Sequence, residues 1–233
     1  QNYIASDIPA ILPYTRECYI VNDGEFIEIT KDDIKIYDEC AKEKECKIKT
    51  INFSIDAAEK GGYDFFMAKE IFEQPKAVKD TVSPLIKDGK ICLPFEFPKN
   101  FIEELKRIYI VACGSAYHVG MTAKYIIEDM ARIPVTVDIA SEFRYRNPII
   151  EKGDLCIFVS QSGETADTLA SLREAKARGA FTLSIVNVLY STIARESDGV
   201  IYTNAGAEIA VATTKAFSAQ LGVSYILASY LAY

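Results

Sequence analysis

The chain has 233 residues, 49% of them apolar and 25% charged, enough for one large domain or a domain with an appendage around a sizeable core. A formal charge of -7 and the lack of any lysine or arginine cluster exclude the electrostatic footprint of a nucleic-acid binder. The apolar runs stop well short of the roughly 20 residues that span a bilayer, and no basic n-region with a cleavage site opens the chain, so a cytoplasmic protein with no nucleic-acid and no membrane partner is expected.

The chain begins on Gln1 without a methionine, and from Cys18 to about Asn52 it has the texture of small strands: CYIV, EFIEIT, IKIYD and KIKTIN. CYIV and EFIEIT flank Asn22-Asp23-Gly24, which predicts a hairpin around that turn. Strands this short cannot close a core alone, so a truncated or cleaved product carrying the end of a sheet is expected. Gly61 and Gly62 then punctuate the chain. Apolar residues return at helical intervals in YDFFMAKEIFEQPKAVKDTVSPLI, where Pro75 should kink, end or restart the helix, so residues 61–98 read as a linker of paired helices.

After Pro98 strands and helices alternate. IYIVAC, VTVDIA, LCIFVS, FTLSIV and GVIYT are apolar runs of strand length, with helices expected over 117–130, 141–146, 164–178, 191–196 and 214–231. The fold class is α/β: a doubly wound five-stranded parallel sheet over 99–233, preceded by a small β-rich part.

In such a sheet ligands sit beyond the carboxyl ends of the strands. Three loops there carry hydroxyls: Gly114-Ser115-Ala116, the stretch VSQSGET from Val159 to Thr165, and the stretch from Glu208 to Lys215. A helix start offers unpaired N–H groups and the positive end of the helix dipole. Ser160, Ser162 and Thr165 add donors, Gln161 a donor and an acceptor, and Gly163 a backbone without a Cβ, which together describe a phosphate cradle built from neutral groups. The plainer alternative is that Ser162 or Thr165 caps the following helix. GSAYHVG lacks the GxGxxG fingerprint and no Walker motif follows a strand, so a nucleotide and any cofactor are not expected.

The six cysteines, Cys18, Cys40, Cys46, Cys92, Cys113 and Cys156, have no CxxC spacing, and the one histidine, His118, cannot build a multi-histidine site, so neither a metal nor a disulfide framework is expected. Cys113 and Cys156 read as small hydrophobes inside strand-like runs. Lys215 reads as structural, and Glu142, Arg144 and Arg146 either as a charged surface helix or as part of an interface.

The strings ACGSAYH, ASEFRYR, SQSGETADTL and NAGAEIAVATTKAFSAQ, in that order, resemble the glutamine:fructose-6-phosphate aminotransferase (isomerising) family, the glucosamine-6-phosphate synthases. YIASDIPAILPYTRECYIVNDGEFIEI resembles the end of that family's glutaminase domain and KGGYDFFMAKEIFEQP its linker. The resemblance implies the end of a glutaminase domain over 1–60, linker helices over 61–98 and the first sugar isomerase domain over 99–233. It implies fructose 6-phosphate or glucosamine 6-phosphate as ligand, held by Ser115, Ser160, Gln161, Ser162 and Thr165 at the phosphate end and by the Val211 backbone and Thr213 along the sugar, with Gly114 and Gly163 supporting the loops. It further implies a homodimeric parent enzyme whose ammonia-releasing cysteine and isomerising lysine and glutamate lie outside this chain, so that the fragment binds sugar phosphate without turning it over. The family pattern has a serine where this chain has Ala116, so one phosphate donor is missing. A stand-alone sugar-phosphate sensor is the alternative, and an interaction scaffold with an empty cradle is a third reading.

Overall fold

The computed structural model describes residues 2–5, 11, 14–22, 24–50 and 60–233, and the chain divides into two units, 1–59 and 60–233. In the first unit Glu17–Cys18 (β1) pairs antiparallel with Lys49–Thr50 (β5). Phe26–Ile29 (β2), Ile34–Tyr37 (β3) and Glu43–Lys44 (β4) form a three-stranded antiparallel sheet around the buried Ile36. The expected hairpin around Asn22–Gly24 is therefore corrected, since the strands on either side of it pair elsewhere. Asp23 itself lies outside the described residues. A tighter local turn wins β2: Thr30 N–H donates to Asp33 O (2.9 Å) and the Thr30 hydroxyl accepts from Asp33 N–H (3.0 Å), which sets Ile29 opposite Ile34. At the Asn22 bend the Glu25 carboxylate accepts from Lys44, from the Asn22 N–H and from the Tyr19 hydroxyl, and the Lys44 bond foremost holds its pKa down to about 2.

The second unit opens on the Phe66–Val82 helix, which continues past Pro75 instead of ending or restarting there. Proline has no N–H to give the Ile71 carbonyl, and the Gln74 side-chain amide donates to that carbonyl in its place (3.0 Å). A 3₁₀ turn over Ser83–Leu85 follows, then a two-stranded hairpin of Ile86–Lys87 (β6) and Lys90–Ile91 (β7). Asp88 and Gly89 between them both have positive φ (51° and 73°), as a two-residue hairpin turn of the twisted kind requires. One helix and a hairpin thus stand where paired helices were expected.

The five apolar runs form one parallel sheet from Ile108–Ala112 (β8), Val135–Ile139 (β9), Leu155–Ser160 (β10), Phe181–Val186 (β11) and Gly199–Tyr202 (β12), in the order β12-β11-β10-β8-β9. All of β8 and β10 is buried, because a parallel strand covered on both sides has no face to give to water. Successive side chains go to opposite cores. Ile108, Ile110, Ile157 and Val159 pack under the Gly114–Met130 and Lys215–Leu231 helices, while Tyr109, Val111, Cys156 and Phe158 meet the Ala140–Phe143, Ala166–Ala177 and Thr192–Glu196 helices. Burial pushes the Cys156 thiol pKa well up, in keeping with a thiol that serves as a small hydrophobe.

The helix bounds depart from expectation by up to three residues, most at two helices. Gly114–Met130 starts at the strand end itself, three residues before 117, and the short helix before Arg144 ends at Phe143. Gly120 seats the first of these: a Cβ there would stand 2.9 Å from Ile110 Cγ2 and 3.0 Å from Val137 Cγ1, so only glycine lets this helix lie so close to β8 and β9.

Candidate functional site

From β8 the chain crosses to β9 on one side of the sheet, and from β10 to β11 on the other. Neighbouring strands whose connections part in this way leave a crevice beyond their carboxyl ends. A cavity of about 250 Å³ lies there. Its wall includes Ser115 after β8, Ser160, Gln161, Ser162 and Thr165 at and after β10, and Val211 and Thr213 from the loop before the last helix, so all seven ligand-facing residues read from the sequence converge on one space. Gly114 and Gly163 are not on the wall.

The hydroxyls around β10 are organised among themselves. Ser160 Oγ accepts the Gly163 N–H (3.0 Å) and shares a hydrogen bond with Thr165 Oγ1 (3.0 Å), and Ser162 Oγ accepts the Glu164 N–H (3.2 Å). One of the Ser160–Thr165 pair donates to the other, which leaves the accepting hydroxyl's own proton to aim elsewhere. Gly163 has φ +68°, and a Cβ on it would lie 2.0 Å from Ser191 Oγ. Its lack of a side chain therefore docks the loop onto the Ser191 segment, an attachment reinforced by Ile193 N–H to Gly163 O (3.0 Å) and Thr192 N–H to Glu164 Oε1 (2.7 Å). Within SQSGET, the glycine and glutamate fix the loop and the hydroxyls and glutamine reach the cavity wall.

Three helices start at this crevice, and they differ. Cys113 and Thr165, which precede the Gly114–Met130 and Ala166–Ala177 helices, make no side-chain cap, so the first amides of both helices keep their hydrogen-bonding capacity beside the cavity. The simple cap considered for Thr165 is thus not what its hydroxyl does. The third helix is closed by Glu208, whose Oε1 accepts Thr214 N–H (2.9 Å) and Ala216 N–H (3.3 Å) while Oε2 accepts the Thr213 hydroxyl (2.7 Å). An anion near the cavity is therefore drawn to the first two helix starts and away from the third, where a carboxylate already sits.

The wall also takes in Cys113, Ala116, Val159, Glu208, Ala210 and Gln220. Cys113 was expected inside a strand; it follows β8 and reaches the cavity instead. Gln220 is 2% exposed, and its side-chain amide, like the Ser115 hydroxyl and the Gln161 amide, hydrogen-bonds to no other described residue. Its signal in the sequence is a polar residue on the helical stripe of Ala216, Ala219, Val223 and Leu227, all of them buried. Lys215, at the start of that helix, is buried in an ion pair with Glu73 (2.7 Å) and lies off the wall. Arg144 pairs with Asp167 (3.2 Å) and Arg146 with Asp138 (2.5 Å), which ties the SEFRYR arginines to their own fold. His118 is exposed, its ring edge-on to Tyr117.

Residues 101–230 match the SIS domain family. The chain is 57% identical over 232 residues to the glutamine–fructose-6-phosphate aminotransferase (isomerizing) of Clostridium tetani, covering 99% of this chain and 38% of that protein. It is 44% identical over 227 residues to the protein of the same name from Aquifex aeolicus, covering 97% of this chain and 37% of that one. Among solved structures, the C-terminal domain of glucosamine-fructose-6-phosphate aminotransferase from Francisella tularensis superimposes with a TM-score of 0.71 at 48% identity, over 75% of this chain and 50% of that one. This chain thus spans well under half the length of the curated relatives it matches, and no helix among the described residues is long and apolar enough to cross a membrane. The matched stretch holds the whole five-stranded sheet and every wall residue of the cavity, and the chain belongs to the SIS domain family.

Proposed function

We propose that this chain is the part of a glutamine:fructose-6-phosphate aminotransferase that runs from the end of the glutaminase domain, through the linker, into the first sugar isomerase domain, and that its cavity binds fructose 6-phosphate or glucosamine 6-phosphate. The observation that carries the reading is the convergence of Ser115, Ser160, Gln161, Ser162, Thr165, Val211 and Thr213 on one cavity beside two uncapped helix starts. The phosphate sits between those starts, among the hydroxyls of Ser115, Ser160, Ser162 and Thr165. The sugar extends toward Val211 and Thr213, past the Glu208 carboxylate that would repel a second anion. At about 250 Å³ the space suits one small ligand, since pockets for larger molecules run to about 1,000 Å³.

The same wall supports binding without turnover. Moving a proton between adjacent carbons needs a free base near the sugar. Among the described residues the ionisable side chains on the wall are Cys113 and Glu208, and both Glu208 oxygens are engaged by the chain's own donors. Catalysis belongs to other parts of a cytoplasmic, homodimeric parent enzyme, as the family resemblance implies.

Calorimetric titration of the chain with fructose 6-phosphate, glucosamine 6-phosphate and unphosphorylated fructose tests this. Saturable heat is expected with both phosphate esters and none with fructose at the same concentrations. Flat titrations with both esters would reject the reading, and formation of glucosamine 6-phosphate by the purified chain would reject the lack of turnover.

A further inference from the structure

The loop that brings Val211 and Thr213 to the cavity contains neither strand nor helix between Tyr202 and Lys215, so something else must hold its backbone. Part of the hold comes from Glu70, in the Phe66–Val82 helix. Glu70 is 2% exposed, and its Oε1 accepts the backbone N–H groups of Ile209 (2.7 Å) and Ala210 (3.2 Å), 139 and 140 residues further along the chain. Its Oε2 is buried and has no partner among the described residues. A carboxylate buried with one oxygen unsatisfied costs stability that an apolar side chain of similar size would not. Three residues later on the same helix, Glu73 pairs with Lys215 (2.7 Å) and Lys69 (3.5 Å), so the helix grips the far end of the loop as well.

We propose that Glu70 is a positioning residue for the cavity: its carboxylate fixes the backbone of Ile209 and Ala210 so that Val211 and Thr213 are held at the wall before any ligand arrives. The consequence for the sugar site rests on the sugar-phosphate reading above. The hold on the loop does not. A pre-ordered loop binds without first having to be ordered, so releasing it appears as lost affinity.

Two substitutions in the full chain separate positioning from bulk stability. Glu70→Gln keeps an acceptor for the two N–H groups but places an NH₂ where Oε2 has no partner. Glu70→Met fills the same space and accepts nothing. Three quantities are read: the melting temperature, amide hydrogen exchange at Ile209 and Ala210 without ligand, and calorimetric affinity for fructose 6-phosphate. Glu70→Met is expected to speed exchange at both amides and to weaken binding about tenfold or more, the size of losing hydrogen bonds to a charged group. Glu70→Gln is expected to lower the melting temperature while binding stays within about threefold of the parent, because the acceptor survives. A folded Glu70→Met chain with parental exchange and affinity overturns the proposal, and so does a folded Glu70→Gln chain that loses as much affinity as Glu70→Met. If the parent chain shows no heat with fructose 6-phosphate, the sugar-phosphate reading fails, while the exchange rates still decide whether Glu70 holds the loop.

Discussion

Just before its strands the parallel sheet carries carboxylates saturated by the chain's own donors, whereas beyond the carboxyl ends the cavity wall carries neutral groups with capacity to spare. Asp154, just before β10, takes Arg107 Nε on both oxygens (2.8 Å each) and the Glu151 N–H (2.7 Å). Asp198, just before β12, takes the Thr182 N–H (2.9 Å), the Thr182 hydroxyl (2.7 Å) and Lys176 (2.9 Å). Burial alone would push the Asp198 pKa up, but these donors outweigh it and hold it below its ordinary value. At the opposite end, the Ser115 hydroxyl and the Gln161 and Gln220 amides have no partner among the described residues. A polar group saturated by its own protein contributes stability, and one left open can contribute binding.

The sharpest way to break this contrast is at the saturated end. Asp154→Ala removes the main partner of the partly buried Arg107 and the acceptor of the Glu151 N–H, and hydrogen bonds to a charged group are worth about 1.5–3 kcal/mol each. Fructose 6-phosphate affinity measured well below the lowered midpoint of thermal unfolding should be unchanged. A loss of affinity in the folded Asp154→Ala chain would show that the two ends of the sheet are not independent.

The next effect lies at the open end and should move both quantities. Ser160→Ala removes the acceptor of the buried Gly163 N–H and the partner of Thr165. An orphaned buried donor costs about 1–3 kcal/mol of stability, and the lost ligand contact adds a fall of about tenfold in sugar-phosphate affinity. Chemical denaturation and calorimetry on the same preparation check the pair of changes. A chain that loses stability and keeps its affinity would place Ser160 with the loop's internal bonds alone.

The contrast also decides what could be read from the sequence. β8 and β10 were legible because burial on both faces leaves continuous apolar runs, and the carboxyl-end loops because their hydroxyls stand out against those runs. What stayed hidden acts across the chain or repairs a local rule. Glu70 holds Ile209 and Ala210 from 139 and 140 residues away, a partnership that no local pattern carries. Pro75 obeys its rule in losing a hydrogen bond, yet Gln74 restores an acceptor's partner one residue earlier, so the helix neither ends nor restarts there. The bend at Asn22 fails for a related reason. The Thr30–Asp33 turn competes for the same strand and closes it more tightly, and Lys44 holds Glu25 in place from β4.

The smallest effect sharpens the contrast by adding a donor instead of removing one. Ala116 is the third residue of the Gly114–Met130 helix and lies on the cavity wall next to Ser115, where the family pattern has serine. A serine there would point one more neutral hydroxyl at the uncapped helix start, and a neutral hydrogen bond is worth about 0.5–1.5 kcal/mol, or roughly two- to tenfold in affinity. Its stability should hardly change, because serine is well tolerated in the first turn of a helix, where its side chain need not compete with internal backbone bonds. Titrating Ala116→Ser with fructose 6-phosphate and with unphosphorylated fructose tests where the gain arises. Tighter binding of the phosphate ester alone assigns the Gly114 helix start to the phosphate. Unchanged binding of the ester would move the phosphate off this helix and onto the SQSGET loop alone, leaving the two helix starts unequal in function although neither carries a cap.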